Sequence, residues 1–386
     1  MQRPARQGSG EWDIGVSRHL QPAVGSTGAS DARPSALAQV LKRRPIAPGP
    51  GFAPLPEPRG PAPYRRALAD VVGPEEHATI ERDGELRFHC VGDTGGWRDG
   101  HPQHLVASAM ADELTGTRPL HFFYHLGDVV YPHGEETHYR GQFFTPYDRY
   151  QAPIFAIPGN HDGEAPSKDP SESLWPFLRA FCSASPPLHD VSVDIGRPLA
   201  HQPHVHWTLV HDWVWIIGLY TNVPEDGEVA AAQLEWLTGE LRAAPDDVTL
   251  IVAAHRPVYS VDVVHGSNLE LGDALDSCFA RAGRTPDAVF GAHAHNYQRF
   301  TRRMDGREVP YVVAGSGGFH ERHRLGAGLP RTPVRFPGLR DVTLDAHESF
   351  AHGFMTVTVT RSGADVVFQT VSDAGAQESD AFTIRR

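Results

Sequence analysis

His121-Phe122-Phe123-Tyr124-His125-Leu126-Gly127-Asp128-Val129-Val130-Tyr131 is the stretch on which the fold turns. Residues 121–126 form a short, mostly apolar run, which predicts a strand buried on both faces. The run stops at Gly-Asp: glycine lets the backbone turn sharply, and the carboxylate follows at the strand's carboxyl end. The same grammar recurs in both directions along the chain. Residues 86–91 run into Gly92-Asp93-Thr94-Gly95-Gly96, and 153–157 into Pro158-Gly159-Asn160-His161-Asp162. Farther on, 248–254 run into His255-Arg256-Pro257, and 288–290 into Gly291-Ala292-His293-Ala294-His295. Sites of open α/β sheets form at the carboxyl ends of strands, so five ends carrying oxygen or imidazole donors predict one convergent site.

The segments between these runs complete an α/β pattern. A further strand is expected over 310–314, and helices over 104–114, 173–182, 229–244 and 269–283, the last stopping at Gly283. Hairpins are expected at 206–210 with 213–219, and at 354–360 with 364–371. Residues 1–63 differ in composition: they hold 11 Pro and 8 Gly. They read as a mostly irregular arm, with polyproline over 45–63 and a short helix over 35–44, and the folded domain is expected over 64–386.

Composition narrows the function. The 386 residues carry 35 Lys and Arg against 47 Asp and Glu, a net charge of −12. That balance argues against holding nucleic acid or an anionic membrane by bulk electrostatics. The longest apolar run, 213–220, is too short for a membrane helix. Cys90, Cys182 and Cys278 are odd in number and widely spaced, which is no disulfide framework. With no basic-then-apolar leader, they point to a cytoplasmic protein.

Taken singly, each strand end has an ordinary explanation. A Gly-Asp after a strand is commonly a turn with a capping aspartate, and a histidine after an apolar run is commonly a core residue. His293-x-His295 is more specific, because alternation places both imidazoles on one side of the chain. Taken in order, Asp93-Thr94-Gly95, Gly127-Asp128-Val129-Val130-Tyr131, Gly159-Asn160-His161-Asp162, Val252-Ala253-Ala254-His255 and His293-Ala294-His295 resemble the five motifs of the purple acid phosphatases, a branch of the calcineurin-like metallophosphoesterases. Pro257-Val258-Tyr259-Ser260 and Ala314-Gly315-Ser316-Gly317-Gly318 agree with the same pattern.

The resemblance implies a four-layer α/β/β/α sandwich with two mixed sheets. It also implies two metal ions. Asp93, Asp128, Tyr131 and His295 would hold Fe³⁺; Asp128, Asn160, His255 and His293 would hold Fe²⁺, Zn²⁺ or Mn²⁺, with Asp128 bridging. Hard trivalent ions favour anionic oxygen donors, which fits that division. Relatives outside the purple branch carry a histidine where this chain has Gly95, and here Tyr131 offsets its loss. The fifth motif departs in having Ala292 before His293, and no N-terminal β-sandwich precedes the motifs. The implied activity is hydrolysis of phosphate monoesters on small phosphorylated substrates by a metal-bound hydroxide. His161 would protonate the leaving oxygen and His265 would serve as a second acid or phosphate contact. Asp162 is expected behind the ligands, and His125, His133 and His138 in solvated loop or helix positions. Phosphodiester hydrolysis at the same centre, or a catalytically silent metal-binding scaffold, are the competing readings.

Overall fold

The computed structural model describes residues 52, 54–164, 174–182, 200–224, 226–327, 329–336 and 339–386. The short helix expected over 35–44, and most of the expected arm, lie outside the described residues. Residues 54–63 contain neither helix nor strand, and Arg59 and Gly60 donate their backbone N–H groups to Pro203.

Two mixed sheets carry the fold. The first comprises β2 (Leu86–Val91), β3 (Phe122–His125), β4 (Ile154–Ala156), β13 (His352–Thr360), β14 (Gly363–Ser372) and β15 (Gly375–Arg385), in the order β15-β14-β13-β2-β3-β4. The second has nine strands: β1 (Arg65–Ala67), β5 (Trp207–His211), β6 (Val214–Leu219), β7 (Thr249–Ala254), β8 (Ala288–Gly291), β9 (Tyr297–Met304), β10 (Arg307–Ala314), β11 (Val334–Phe336) and β12 (Leu339–Glu348). Their order is β1-β5-β6-β7-β8-β10-β9-β12-β11. Strands β2, β3 and β4 run parallel, as do β6, β7 and β8. Among the described residues four longer helices flank them: α1 (Ala69–Asp83), α2 (His101–Leu114), α3 (Ala231–Ala243) and α4 (Leu269–Ala282).

Strand alternation explains the layering. Phe88 and Cys90 of β2, Phe122 and Tyr124 of β3, Ile251 and Ala253 of β7, and Phe290 of β8 meet in one core between the sheets. Leu250, Val252 and Ala254 of β7 point the other way, onto Leu237 and Leu241 of α3 and Leu275 and Phe279 of α4. Val91 and Phe123 pack with Val106 and Met110 of α2 on the far side of the smaller sheet. These are the four layers of the expected sandwich. Burying one such phenylalanine contributes about 2–3 kcal/mol, so both faces of the central strands are strongly fixed. Among the described residues no helix is long and apolar enough to cross a membrane.

The predicted strands and hairpins are present, with ends shifted by a few residues. The helix expected over 173–182 is present as an α-helical turn, Trp175–Phe177, that continues into a π-helical turn, Leu178–Cys182; residue 173 lies outside the described residues.

Candidate active site

The donor side chains at the carboxyl ends of β2, β3, β4, β7 and β8 gather in one cluster. The loops are tied together directly: Gly92 N–H donates to Ala314 at the end of β10, and Asp93 N–H donates to Gly127. Three residues of this cluster, Asp93, Asp128 and His293, take left-handed backbone angles, with φ of 56°, 56° and 67°. Non-glycine residues rarely adopt this region, and such strain concentrates at functional sites.

Tyr131 Oη lies 3.1 Å from both Asp93 Oδ1 and Asp128 Oδ2, and 3.4 Å from His295 Nε2. Backbone contacts orient the imidazoles. His295 donates Nδ1–H to the Glu321 carbonyl at 2.7 Å, and His255 donates Nδ1–H to the Leu126 carbonyl at 2.9 Å. Each ring therefore turns Nε2 inward. His255 Nε2 faces Asn160 Oδ1 at 3.2 Å, His293 Nδ1 at 3.2 Å and Asp128 Oδ2 at 3.4 Å. Asp93, Asp128, Tyr131, Asn160, His255, His293 and His295 are all buried, at most 7% exposed.

This is an excess of lone pairs. One phenolic hydrogen is shared among three acceptors, and the buried His293 Nε2 has no hydrogen-bond partner among the described residues. Electrostatics reflect the crowding. Burial pushes the Asp93 carboxyl well up, with the Asp128 charge adding to it. Burial acts against ionised Asp128 too, but His255 and His161 outweigh it and hold that carboxyl far below its usual range. Burial opposes charging His255; Asp128 overcomes it and lifts the imidazole to about 9. A proton on His255 thus stands between the oxygen donors, where a cation would satisfy them better.

Close packing explains two glycines. Gly159 has φ of −91°, open to any residue, yet a Cβ there would fall 2.0 Å from Asp128 Oδ1. A Cβ on Gly95 would fall 2.6 Å from Gln142 Oε1 and 2.7 Å from Tyr131 Cδ2. Position 95 is therefore bare because the Tyr131 ring fills the space a side chain would occupy.

The remaining predicted residues sit around this cluster. His161 donates its backbone N–H to Asp128 Oδ1 at 2.9 Å and Nδ1–H to the Pro132 carbonyl at 2.7 Å, with its side chain 31% exposed. The His265 ring lies 3.9 Å from the His293 ring. Asp162 accepts the N–H groups of Val129, Val130 and Gly159, so it clamps the β3 and β4 loops together. His125 departs from the solvated position expected of it. It is fully buried, lying 2.8 Å from Thr94 Oγ1 and accepting the Gly127 N–H, because the β3 end is roofed by the β2 loop. Tyr297 and Arg299 both bind Asp380.

Three neighbours were not singled out from sequence. His323 stacks on His295 at 4.0 Å and accepts its backbone N–H at 3.2 Å. Phe319 packs against Tyr131 at 4.1 Å. Arg256, ion-paired with Asp226, adds positive charge beside His265 and His293. The signal was present: Gly315-Ser316-Gly317-Gly318 ends β10 beside the cluster and leads directly to Phe319 and His323.

Comparison with known proteins completes the picture. Residues 86–297 match the family model described as calcineurin-like phosphoesterase. The chain belongs to that family. The phosphoesterase is 31% identical over 312 residues to mouse tartrate-resistant acid phosphatase type 5, covering 74% of this chain and 89% of the mouse protein. Its human counterpart is 28% identical over 306 residues, covering 74% and 90%. Among solved structures, purple acid phosphatase PPD1 from yellow lupin superposes with a TM-score of 0.57 at 17% identity, covering 78% of this chain and 54% of the lupin chain. The phosphoesterase thus lies in the purple acid phosphatase branch, as a hydrolase of phosphate esters with a dinuclear metal centre. A second group, His77, Glu81 and His211, also brings ligand-type atoms within 4.8 Å of one another. There His211 Nδ1 accepts the Trp213 N–H, so neutral His211 keeps its proton on Nε2, the wrong state for coordination.

Proposed function

We propose that this phosphoesterase hydrolyses small phosphate monoesters at a centre held by Asp93, Asp128, Tyr131, Asn160, His255, His293 and His295. One observation carries the proposal: seven buried donors from five strand ends turn their lone pairs on one another with too few protons to satisfy them. The Tyr131, Asp93, Asp128 and His295 set suits Fe³⁺. The Asp128, Asn160, His255 and His293 set suits Fe²⁺, Zn²⁺ or Mn²⁺. When bound, the two ions supply Lewis acidity to the phosphoryl oxygens and lower the pKa of the attacking water.

The chain's own residues supply the rest. Asp128 joins the two donor sets, because its Oδ2 faces both Tyr131 and His255. His161 spends Nδ1–H on Pro132, which leaves Nε2 to carry a proton to the leaving oxygen. Burial, reinforced by Arg256, pushes His265 well below its ordinary pKa, which suits a neutral phosphate contact better than an acid. Three free, buried cysteines agree with a reducing compartment.

Metal analysis with a visible spectrum tests the centre. Iron-loaded protein is expected to be coloured by a phenolate-to-Fe³⁺ transition, and Tyr131→Phe to lose that colour. Colourless, active protein containing only zinc or manganese would refute the Fe³⁺ assignment. Rates on p-nitrophenyl phosphate should exceed those on bis(p-nitrophenyl) phosphate; the reverse order would make it a diesterase.

A further inference from the structure

His265 reaches the site from a five-residue loop, 262–266, whose apolar side chains do not explain its order. Val263 and Val264, at the tip, are 36% and 43% exposed, so apolar burial contributes little to holding it. Among the described residues, the ring nitrogens of His265 have no hydrogen-bond partner either. The loop is instead wrapped around one carboxylate. Asp262 is 2% exposed, and its Oδ1 accepts the N–H groups of Val264 at 2.8 Å and His265 at 2.9 Å. Its Oδ2 accepts the Gly266 N–H at 3.0 Å and the Ser260 hydroxyl at 2.8 Å. The loop is also latched from outside, by Val263 N–H donating to the Arg324 carbonyl at 3.0 Å.

The anchor of Asp262 is itself fixed. Ser260 Oγ also accepts from Gln298 Nε2 at 2.9 Å, and Gln298 Nε2 donates to Asn296 Oδ1 at 2.8 Å. Asn296 in turn donates to the His323 carbonyl at 3.0 Å. The chain of contacts thus runs behind the motif containing His293 and His295. We infer that Asp262 is a positioning residue that sets the His265 ring over the phosphate-binding face through the 262–266 loop. This rests on the reading of His265 as a substrate contact.

A carboxylate suits this place because all four of its hydrogen bonds are accepted ones, with His323 Nδ1 a further 3.7 Å from Oδ1. An amide would turn its NH₂ against at least one backbone N–H, leaving a donor facing a donor in a buried site. Asp262→Asn should therefore release the loop, not merely weaken it. A misplaced contact of this kind costs on the order of 10²-fold or less in rate.

The test is a double-mutant cycle on the metal-loaded, full-length protein with p-nitrophenyl phosphate. Asp262→Asn is expected to lower kcat/KM about tenfold or more, moving kcat and KM in the same sense as His265→Ala, with metal content unchanged. If Asp262 acts through that ring, and not through His323, whose Nδ1 lies 3.7 Å from Asp262 Oδ1, the double variant is no worse than His265→Ala alone. Gly266→Ala, which strains a residue at φ of 67°, should show the same coupling if Asp262→Asn folds poorly. Multiplicative losses in both double variants would overturn the inference, as would an unchanged rate in His265→Ala or in Asp262→Asn. Inactive wild-type protein with both metals bound would instead overturn the proposed function.

Discussion

Two buried histidines remote from the catalytic proposal should set a lower pH limit on this protein's stability. His204 and His206 are 2% and 4% exposed, their rings lie 4.2 Å apart, and neither Nδ1 has a hydrogen-bond partner among the described residues. Tyr64 and Trp236 enclose His206 at 5.5 Å and 4.7 Å. Burial lowers His204 from 6.5 to about 4, and burial with the neighbouring His204 lowers His206 to about 2. Above pH 6.5 both rings are neutral in the folded and unfolded chain, and the pair costs nothing. Between pH 6.5 and about 4 only the unfolded chain takes up the protons, so stability falls as pH falls. Each ring contributes about 1.4 kcal/mol per pH unit, hence about 4 kcal/mol for the pair at pH 5. That is a large part of the roughly 5–15 kcal/mol that holds a domain folded. His206→Phe keeps an aromatic ring against Tyr64 and Trp236 and removes one titration. Urea unfolding of both proteins from pH 7.5 to 5 should show similar stability at the upper end and a gain of about 2 kcal/mol for the variant at pH 5. Metal loss in acid affects both proteins alike and cancels in the difference. Parallel stability curves would refute the reasoning.

Other substitutions probe the centre. Gly159→Ala places a methyl against Asp128 and should cost at least about 1–3 kcal/mol by overpacking, read as a lower melting temperature with loss of bound metal. Wild-type stability and metal content in that variant would show that the loops yield freely. His161→Asn should lower kcat by about 10²–10⁴, with a larger loss on an alkyl phosphate than on p-nitrophenyl phosphate, whose leaving group needs no proton. Equal losses on both substrates would remove His161 from the acid role. Asp128→Asn should reduce hydrolysis to background, and full activity would refute a shared dinuclear centre.

The strands that build the site were legible because each is a short apolar run broken by glycine or proline next to a polar donor. Elements farther out lacked that contrast. Helix α1 contains Gly73 and Pro74 at a kink and buries only Ile80, so no amphipathic period reveals it. Strand β15 is a sheet edge of mostly exposed polar residues, anchored by the buried Ile384. Strand β9 is rich in arginine whose charges are met only in three dimensions, Arg302 by Asp276 and Arg299 by Asp380. His323 was harder to read for a different reason: it joins the site through the loop that follows β10, and only the glycine-rich run 315–318 just before it points that loop at the site. His125 illustrates the converse error, since a histidine flanking a motif looks solvated until the roof above it is known.

The contact between position 95 and the Tyr131 ring bears on how this site can change over generations. Gly95→His alone would drive a side chain into an occupied space, while Tyr131→Phe alone would remove the oxygen that faces both Asp93 and Asp128. Each single change disturbs what the other residue holds in place, so the two positions are expected to couple, with the double substitution costing less than the sum of the two singles. Engineering that aims to exchange the tyrosine centre for a histidine one must alter both residues in one move, with Gln142 as the third partner to repack.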